Sequence, residues 1–407
     1  MESPGRPAHP AARPRLPRNV VVLSWVSFFQ DAASEMLYPV LPLFLTGVLG
    51  APTVVVGLIE GVAEGTASVM KAVSGRLADA RRRRPLVAWG YGISSVSKLL
   101  IGVATVWPLV LVARFVDRFG KGLRTSPRDA IIAAETPVGH RGRGFGFHRA
   151  LDTAGAVVGP LAGLGLYELV SHRLRPLFFV AFAPAAVSVA LVGLVRERPR
   201  PPTPRRRAAG DIPLPRPYRR VVVVLTLFGL VNFSDALLLL RARELGLGFV
   251  GVVGAYALYN TSYAALSYPA GVVSDRLPRR LVFATGLGVF AVAYLGLGIV
   301  TTPGWVWLLL PLYGGYTALT DGVGKAWVAG LLPEPSVGTG LGLYQGLAGG
   351  AVLLAGVWAG LAWGAVGRFP LVVSGTTVAA LALLLALAGS RLDAGSAGAA
   401  PAHTRPG

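Results

Sequence analysis

Apolar stretches recur along nearly the whole chain, and each is about 20 residues long, enough to cross a bilayer core of about 30 Å. They fall roughly at 20–48, 53–78, 85–107, 108–133, 143–169, 174–195, 221–244, 249–274, 280–301, 303–331, 337–365 and 369–390. One such stretch is compatible with a buried core helix. Twelve in succession, joined mostly by short loops, predict a polytopic membrane protein. Of the 407 residues, 53% are hydrophobic and 14% are charged, against roughly 25% charged in an average soluble domain. The expected fold class is an all-α membrane protein of twelve transmembrane helices in two pseudo-symmetric six-helix bundles.

The Arg-rich segments set the organisation. Residues 1–19 are rich in Pro and Arg and are expected to be a disordered cytoplasmic N-terminus. The apolar run from Val20 is too long for a signal peptide. Residues 20–195 form the first bundle. Residues 196–220 hold nine Arg and many Pro and read as a cytoplasmic linker, extended and semi-stiff. Residues 221–390 form the second bundle, and 391–407 a cytoplasmic tail. Loops with Arg81 to Arg84, with Arg141 and Arg143, and with Arg276, Arg279 and Arg280 fall on the same side as the linker and termini. That side is expected to be cytoplasmic, placing the protein in a bacterial inner membrane with both termini inside. The net charge of +20 is therefore read as a topology signal, and no nucleic-acid partner is expected.

Several chemistries are excluded. There is no cysteine, so no disulfide, thiolate metal site or thiol nucleophile is available. No P-loop, GxSxG or HExxH occurs, and the five histidines lack metal-ligand spacing. No cofactor, no metal and no enzymatic activity are expected. The expected partners are a small-molecule substrate, protons and lipid, and the chain is expected to act as a monomer.

The two halves repeat one another at a nearly constant offset of about 200 residues. Phe29-Gln-Asp31-Ala matches Phe233-Ser-Asp235-Ala, and Gly75-x-x-x-Asp79 matches Gly271-x-x-x-Asp275. Asp117-x-x-x-Lys121 matches Asp321-x-x-x-Lys325, and Gly144-Phe-Gly-Phe-His148 matches Gly340-Leu-Gly-Leu-Tyr344. Four matches in the same order point to duplication.

Ionisable groups in lipid cost several kcal/mol each unless paired or facing water, so each is a functional candidate. At about 1.5 Å per residue, Asp31 falls roughly halfway across the first helix, with Glu35 one turn on. Glu60 and Glu64 share a face of the second, to which Lys71 returns. Arg114, Asp117, Arg118 and Lys121 form one stripe of the fourth. His148, Arg149 and Asp152 cluster on the fifth, and Asp235, Asp321 and Lys325 lie in the second half. Proton-coupling candidates are Asp31, Glu35, Glu64, Asp117 and Asp152, with Asp31 first and Arg114 expected opposite it. Only four Lys accompany 35 Arg, and Lys71, Lys98, Lys121 and Lys325 all fall inside helices. Lys121 and Lys325, each four residues after an Asp, are expected to form buried ion pairs. Substrate-binding candidates are Arg114, Arg118, Lys121, His148, Arg149, Asp235, Asp321 and Lys325, with the amide and aromatic groups Asn232, Tyr256, Tyr259, Asn260, Tyr263, Tyr344 and Gln345.

Gly75-Arg-Leu-Ala-Asp79-Ala-Arg-Arg-Arg83-Arg84 and Gly271-Val-Val-Ser-Asp275-Arg276-Leu-Pro-Arg279-Arg280 resemble the major facilitator superfamily signature between its second and third helices. The first copy departs from that signature at Ala80 and Arg82, the second at Pro278. The small Gly lets helices pack closely, and an Asp at a helix end can bridge a cytoplasmic gap. Gly75, Asp79, Arg83, Arg84, Gly271, Asp275, Arg276, Arg279 and Arg280 are therefore gating candidates. Gly155-Ala-Val-Val-Gly159-Pro160-Leu-Ala-Gly163 resembles the fifth-helix motif of drug–proton antiporters in that superfamily. The resemblance covers the whole chain. It implies alternating access and proton-coupled export of a small organic solute. The alternatives are proton-coupled uptake of an organic anion, for which the basic groups would serve, and a non-transporting receptor or scaffold.

Overall fold

A computed structural model describes residues 16–38, 40–171, 173–197, 214–366 and 368–388. The linker core at 198–213 and the termini lie outside the described residues. Every long element is a helix, in keeping with the long apolar runs. The first half contains α1 (Arg18–Glu35), α2 (Val40–Leu43), α3 (Thr53–Ala80), α4 (Arg83–Val103), α5 (Trp107–Glu135), α6 (Arg141–Leu169) and α7 (Arg175–Val192). The second contains α8 (Arg216–Gly229), α9 (Asp235–Glu244), α10 (Phe249–Arg276), α11 (Arg279–Ile299), α12 (Val306–Gly330), α13 (Val337–Val366) and α14 (Phe369–Leu387). Among the described residues six helical segments, including α4, α7, α11 and α14, are long and apolar enough to cross a membrane by length and composition alone. The charge-bearing α3 and α5 fall outside that set.

Two expected helices are broken, and they occupy equivalent places in the two halves. The stretch expected as one helix over 20–48 stops at Glu35 and resumes as α2 and a π-helical turn, Phe44–Val48. Tyr38 precedes a proline in the sequence, and a residue before proline is disfavoured in the helical region. The stretch expected over 221–244 stops at Gly229 and restarts at Asp235, where the Ser234 side chain accepts a 3.3 Å hydrogen bond from the Ala236 amide. Ser at that position satisfies an otherwise orphaned donor. Asp235 is therefore not a mid-helix group like Asp31. It opens α9, where a carboxylate suits the positive end of the helix dipole.

Within the first half α1 packs on α6 and α7, and α5 packs on α3 and α4; within the second α12 packs on α10 and α11, and α11 on α14. Gly155, Gly159 and Gly163 line the face of α6 that meets α1. A methyl group on Gly155 would stand 3.0 Å from the Ala32 amide nitrogen, and one on Gly159 3.0 Å from that of Met36. Only glycine allows that approach. α6 runs unbroken through Pro160. The halves meet chiefly through α3 with α13 and α6 with α10.

Candidate functional site

The halves pack most closely at their arginine-rich end. Gly75 of α3 lies against α13, where an added methyl would be 2.8 Å from the Gly342 Cα. Gly346 and Gly349 continue that contact against Ala72 and Ser68. One turn further, on stripes set by the helical period, Gly65 and Gly350 face open space. The close glycine packing ends there.

The closed end is clamped twice by the same device. Asp79, at the end of α3, accepts hydrogen bonds from the Gly338 and Thr339 amides at 2.9 and 2.5 Å. Asp275, at the end of α10, accepts from the Gly142 and Arg143 amides at 2.7 and 3.0 Å. Each carboxylate thus caps the N-terminus of a helix in the other half, α13 or α6, where amides lack intrahelical acceptors and the dipole favours negative charge. Arginine is secondary. Arg143 reaches Asp275 across the gap at 3.5 Å. Arg83 lies 3.4 Å from Asp79 within its own half. Arg279 donates across the gap to the Val138 carbonyl at 2.8 Å. Arg84 and Arg280 instead donate to carbonyls of their own half, at Gly193 and Ala386. Arg276 is exposed and makes no ion pair among the described residues.

Above this closure sits a cavity in the first half. Asp31, Glu35 and Tyr38 come from the α1 wall, Ser97 and Lys98 from α4, and Arg114, Asp117, Arg118, Lys121 and Arg124 from α5. The expected pairing of Arg114 with Asp31 does not form. Arg114 donates to Glu60 at 2.6 Å and lies 3.5 Å from Asp117. Arg118 lies 3.4 Å from Glu64. The cause is helix packing: α3 lies along α5, and the four-residue spacing of Glu60 and Glu64 matches that of Arg114 and Arg118. Nor does Lys121 pair with Asp117. The Asp117 carboxylate is turned to α4, where Ser97 donates to it at 3.3 Å. Asp31, Glu35 and Lys121 line the cavity with no ion pair among the described residues.

Between cavity and closure lies a ring of alternating charge. Arg128 lies 3.0 Å from Asp129 and Asp129 3.1 Å from Lys325. Lys325 lies 3.9 Å from Asp321 and Asp321 2.6 Å from Arg149. Arg149 lies 2.6 Å from Asp152, and Asp152 4.0 Å from Arg128. The Tyr263 hydroxyl donates to Asp321 at 2.6 Å, and His148 stands beside the ring, bonded to the Ser27 hydroxyl at 3.0 Å. Lys325 does meet Asp321, as its spacing predicts, but its nearer partner is Asp129 from the other half. Asp129 is fully buried. It is absent from the candidates that the sequence suggests, as are Arg124 and Arg128. All three fall inside the expected helix 108–133, so the rule that marks intramembrane charge already covers them.

The second half offers an aromatic wall. Tyr259 stacks on Tyr263 and on Tyr313, at 6.3 and 5.3 Å between ring centres, and Tyr256 adjoins Tyr259 at 5.8 Å. The Tyr313 hydroxyl donates to Asp235 at 2.8 Å. Asn260 is held to the Tyr256 carbonyl at 3.1 Å. Asn232 Oδ1 and Gln345 Nε2 are buried without a hydrogen-bond partner among the described residues, and Tyr344 lies beside Gly324. This wall and the charged cavity belong to different halves.

Known proteins resemble this chain in sequence and in fold. It is 33% identical over 356 residues to an uncharacterized MFS-type transporter of Methanocaldococcus jannaschii, covering 86% of this chain and 89% of the relative. It is 26% identical over 304 residues to the multidrug resistance protein MdtG of Citrobacter koseri, covering 70% and 73%. The crystal structure of the human organic anion transporter MFSD10 (TETRAN) superposes with a TM-score of 0.77 at 19% identity, covering 92% of this chain and 99% of that one. The family model described as Major Facilitator Superfamily matches residues 23–256. With that match over more than half its length, the chain belongs to the major facilitator superfamily of transporters.

Proposed function

We propose that this transporter moves a small organic solute by alternating access, driven by protons, with twelve membrane crossings and the arginine-rich end in the cytoplasm. The broken stretches α1–α2 and α8–α9 each count as one crossing. In this reading residues 20–195 and 221–390 are the two rocking bundles, and the structure is outward-facing. The observation that carries it is the one-sided contact of the halves: packed glycines and capped helix ends at one end, open space along the same stripes at the other. Asp31 is the proposed proton carrier. It lines the cavity and makes no ion pair among the described residues, so it can take and release a proton without breaking a structural bridge. Export is the direction supported by the kinship with a multidrug resistance protein. Uptake of an organic anion is the second reading, favoured by the five basic side chains that line the cavity.

The test uses proteoliposomes and a solute identified by resistance and uptake screening of a deletion strain. Wild-type protein is expected to concentrate that solute under a pH gradient. Asp31→Asn is expected to lose gradient-driven accumulation and keep exchange at equal concentrations. A well-folded Asp31→Asn that still accumulates solute removes Asp31 from the coupling role. Absence of any solute flux with wild type removes the transport reading.

A further inference from the structure

The cavity's α5 wall carries hydrogen-bond donors that the protein leaves unused. The Nε atoms of Arg114, Arg118 and Arg124 are buried and have no acceptor among the described residues, and all three side chains line the same cavity. Arg124 is only 4% exposed. Its guanidinium lies over the Tyr91 ring at 4.4 Å and donates to the Ser94 hydroxyl at 2.7 Å, with no carboxylate in ion-pair range among the described residues. Lys121 faces Asp31, Glu35 and Glu64 but has no carboxylate within ion-pair distance among the described residues. Lys98, 3% exposed, donates to the Ser34 hydroxyl and the Ser94 carbonyl, at 3.3 and 3.2 Å. A buried donor without an acceptor is costly, and a buried cation without a counter-charge more so. Asp117, shared between Arg114 and Ser97 and close to Lys98, offsets part of this charge but is in ion-pair range of neither Lys121 nor Arg124 among the described residues.

We propose that the α5 wall is an oxyanion subsite, and that the solute is a small organic monoanion whose carboxylate, sulfonate or phosphate head sits against Lys121 and Arg124. The inference rests on the transporter reading above and names its substrate class. Guanidinium groups suit such a head because their fixed N–H donors match oxyanion geometry. Asp31 and Glu35 form the facing wall and offer no cation to a second anionic group, which limits the solute to one. Leu37, Leu41, Ile101 and Phe178 add an apolar lining that suits an apolar body. His148 and Arg149 are excluded from the subsite: the first is held by Ser27, and the second is committed to Asp152 and Asp321.

Equilibrium binding tests this without any flux, so it stands or falls separately from transport. The full chain, in lipid-free maltoside micelles at constant ionic strength, is unfolded thermally with increasing benzoate, benzyl alcohol or benzylammonium. Benzoate is expected to raise the unfolding midpoint saturably, and the other two to leave it unchanged. Lys121→Gln is expected to weaken the apparent benzoate affinity about tenfold or more, and Lys121→Arg to retain it. Lys121 bridges no carboxylate among the described residues, so its replacement leaves folding intact, checked by size-exclusion chromatography. Phosphatidylglycerol added to the micelles separates a solute head from a lipid phosphate: the benzoate shift is expected to survive. No benzoate shift, an equal shift with benzylammonium, an unaltered affinity in Lys121→Gln, or a benzoate shift abolished by the lipid each overturns the proposal.

Discussion

Among individual residues, the charge ring shows how ionised groups are kept inside a bundle. Three cations and three carboxylates alternate, so each finds opposite charges on both sides. The ring crosses between the halves at two pairs, Asp129 with Lys325 and Arg149 with Asp321. If those two pairs part, Arg128, Asp129, Arg149 and Asp152 remain together, and Asp321 remains with Lys325. Neither group is then left with net charge, which lowers the cost of separating them. Lys325→Met removes that balance and leaves Asp129 with Arg128 alone. Losing one partner of a buried pair costs about 3–5 kcal/mol, and the unfolding midpoint in detergent is expected to fall accordingly. Asp129→Asn in the same chain is expected to recover part of the loss, with a coupling of about 1 kcal/mol or more. Additive effects of the two substitutions would show that the pair is not coupled.

Between elements, the decisive contact is a carboxylate at one helix end capping the start of another helix across the divide. It is made twice, by Asp79 on α13 and by Asp275 on α6, and the close approach of Gly75 and Gly271 brings the capped ends within reach. Such charge-assisted bonds contribute about 1.5–3 kcal/mol. Asp79→Asn keeps the shape and can still accept one amide, but loses the charge. It is expected to shift the balance of conformations by roughly tenfold away from this closed arrangement, with solute affinity largely intact. Thiol labelling at Gly65→Cys reads that balance, since Gly65 faces open space and the chain has no other cysteine. An unchanged labelling rate in Asp79→Asn would count against a gating role. The duplicated Gly-x-x-x-Asp motif marks both carboxylates in the sequence itself. The donors they bind carry no such mark, because the backbone amides of Gly338, Thr339, Gly142 and Arg143 have no side-chain signature.

For the molecule as a whole, orientation turns on where the chain start, the α3–α4 turn and the linker entrance lie. Arg18 donates to the Leu194 carbonyl at 3.0 Å, and Asn19 both donates to the Arg196 carbonyl and accepts from its amide. The Glu197 carboxylate accepts from the Arg83 amide at 2.7 Å. The three segments therefore gather at one end. A reporter fused after residue 205 is expected to give a cytoplasmic signal. A periplasmic signal would invert the proposed orientation.

The helical class, the two-half repeat, the arginine-rich end and most of the charged residues that matter are legible along the chain. They follow from local rules: the length of apolar runs, the cost of charge in lipid and the spacing of a duplicated motif. Which charges meet is a different matter. Along one helix Asp117 and Lys121 are as well placed as Asp321 and Lys325, yet Asp117 turns to Ser97 of α4 and to Arg114, while Lys325 meets both Asp321 and Asp129 of the other half. Pairing depends on what each neighbouring helix presents across the contact. That is set by packing between residues far apart in the chain, and no local spacing records it.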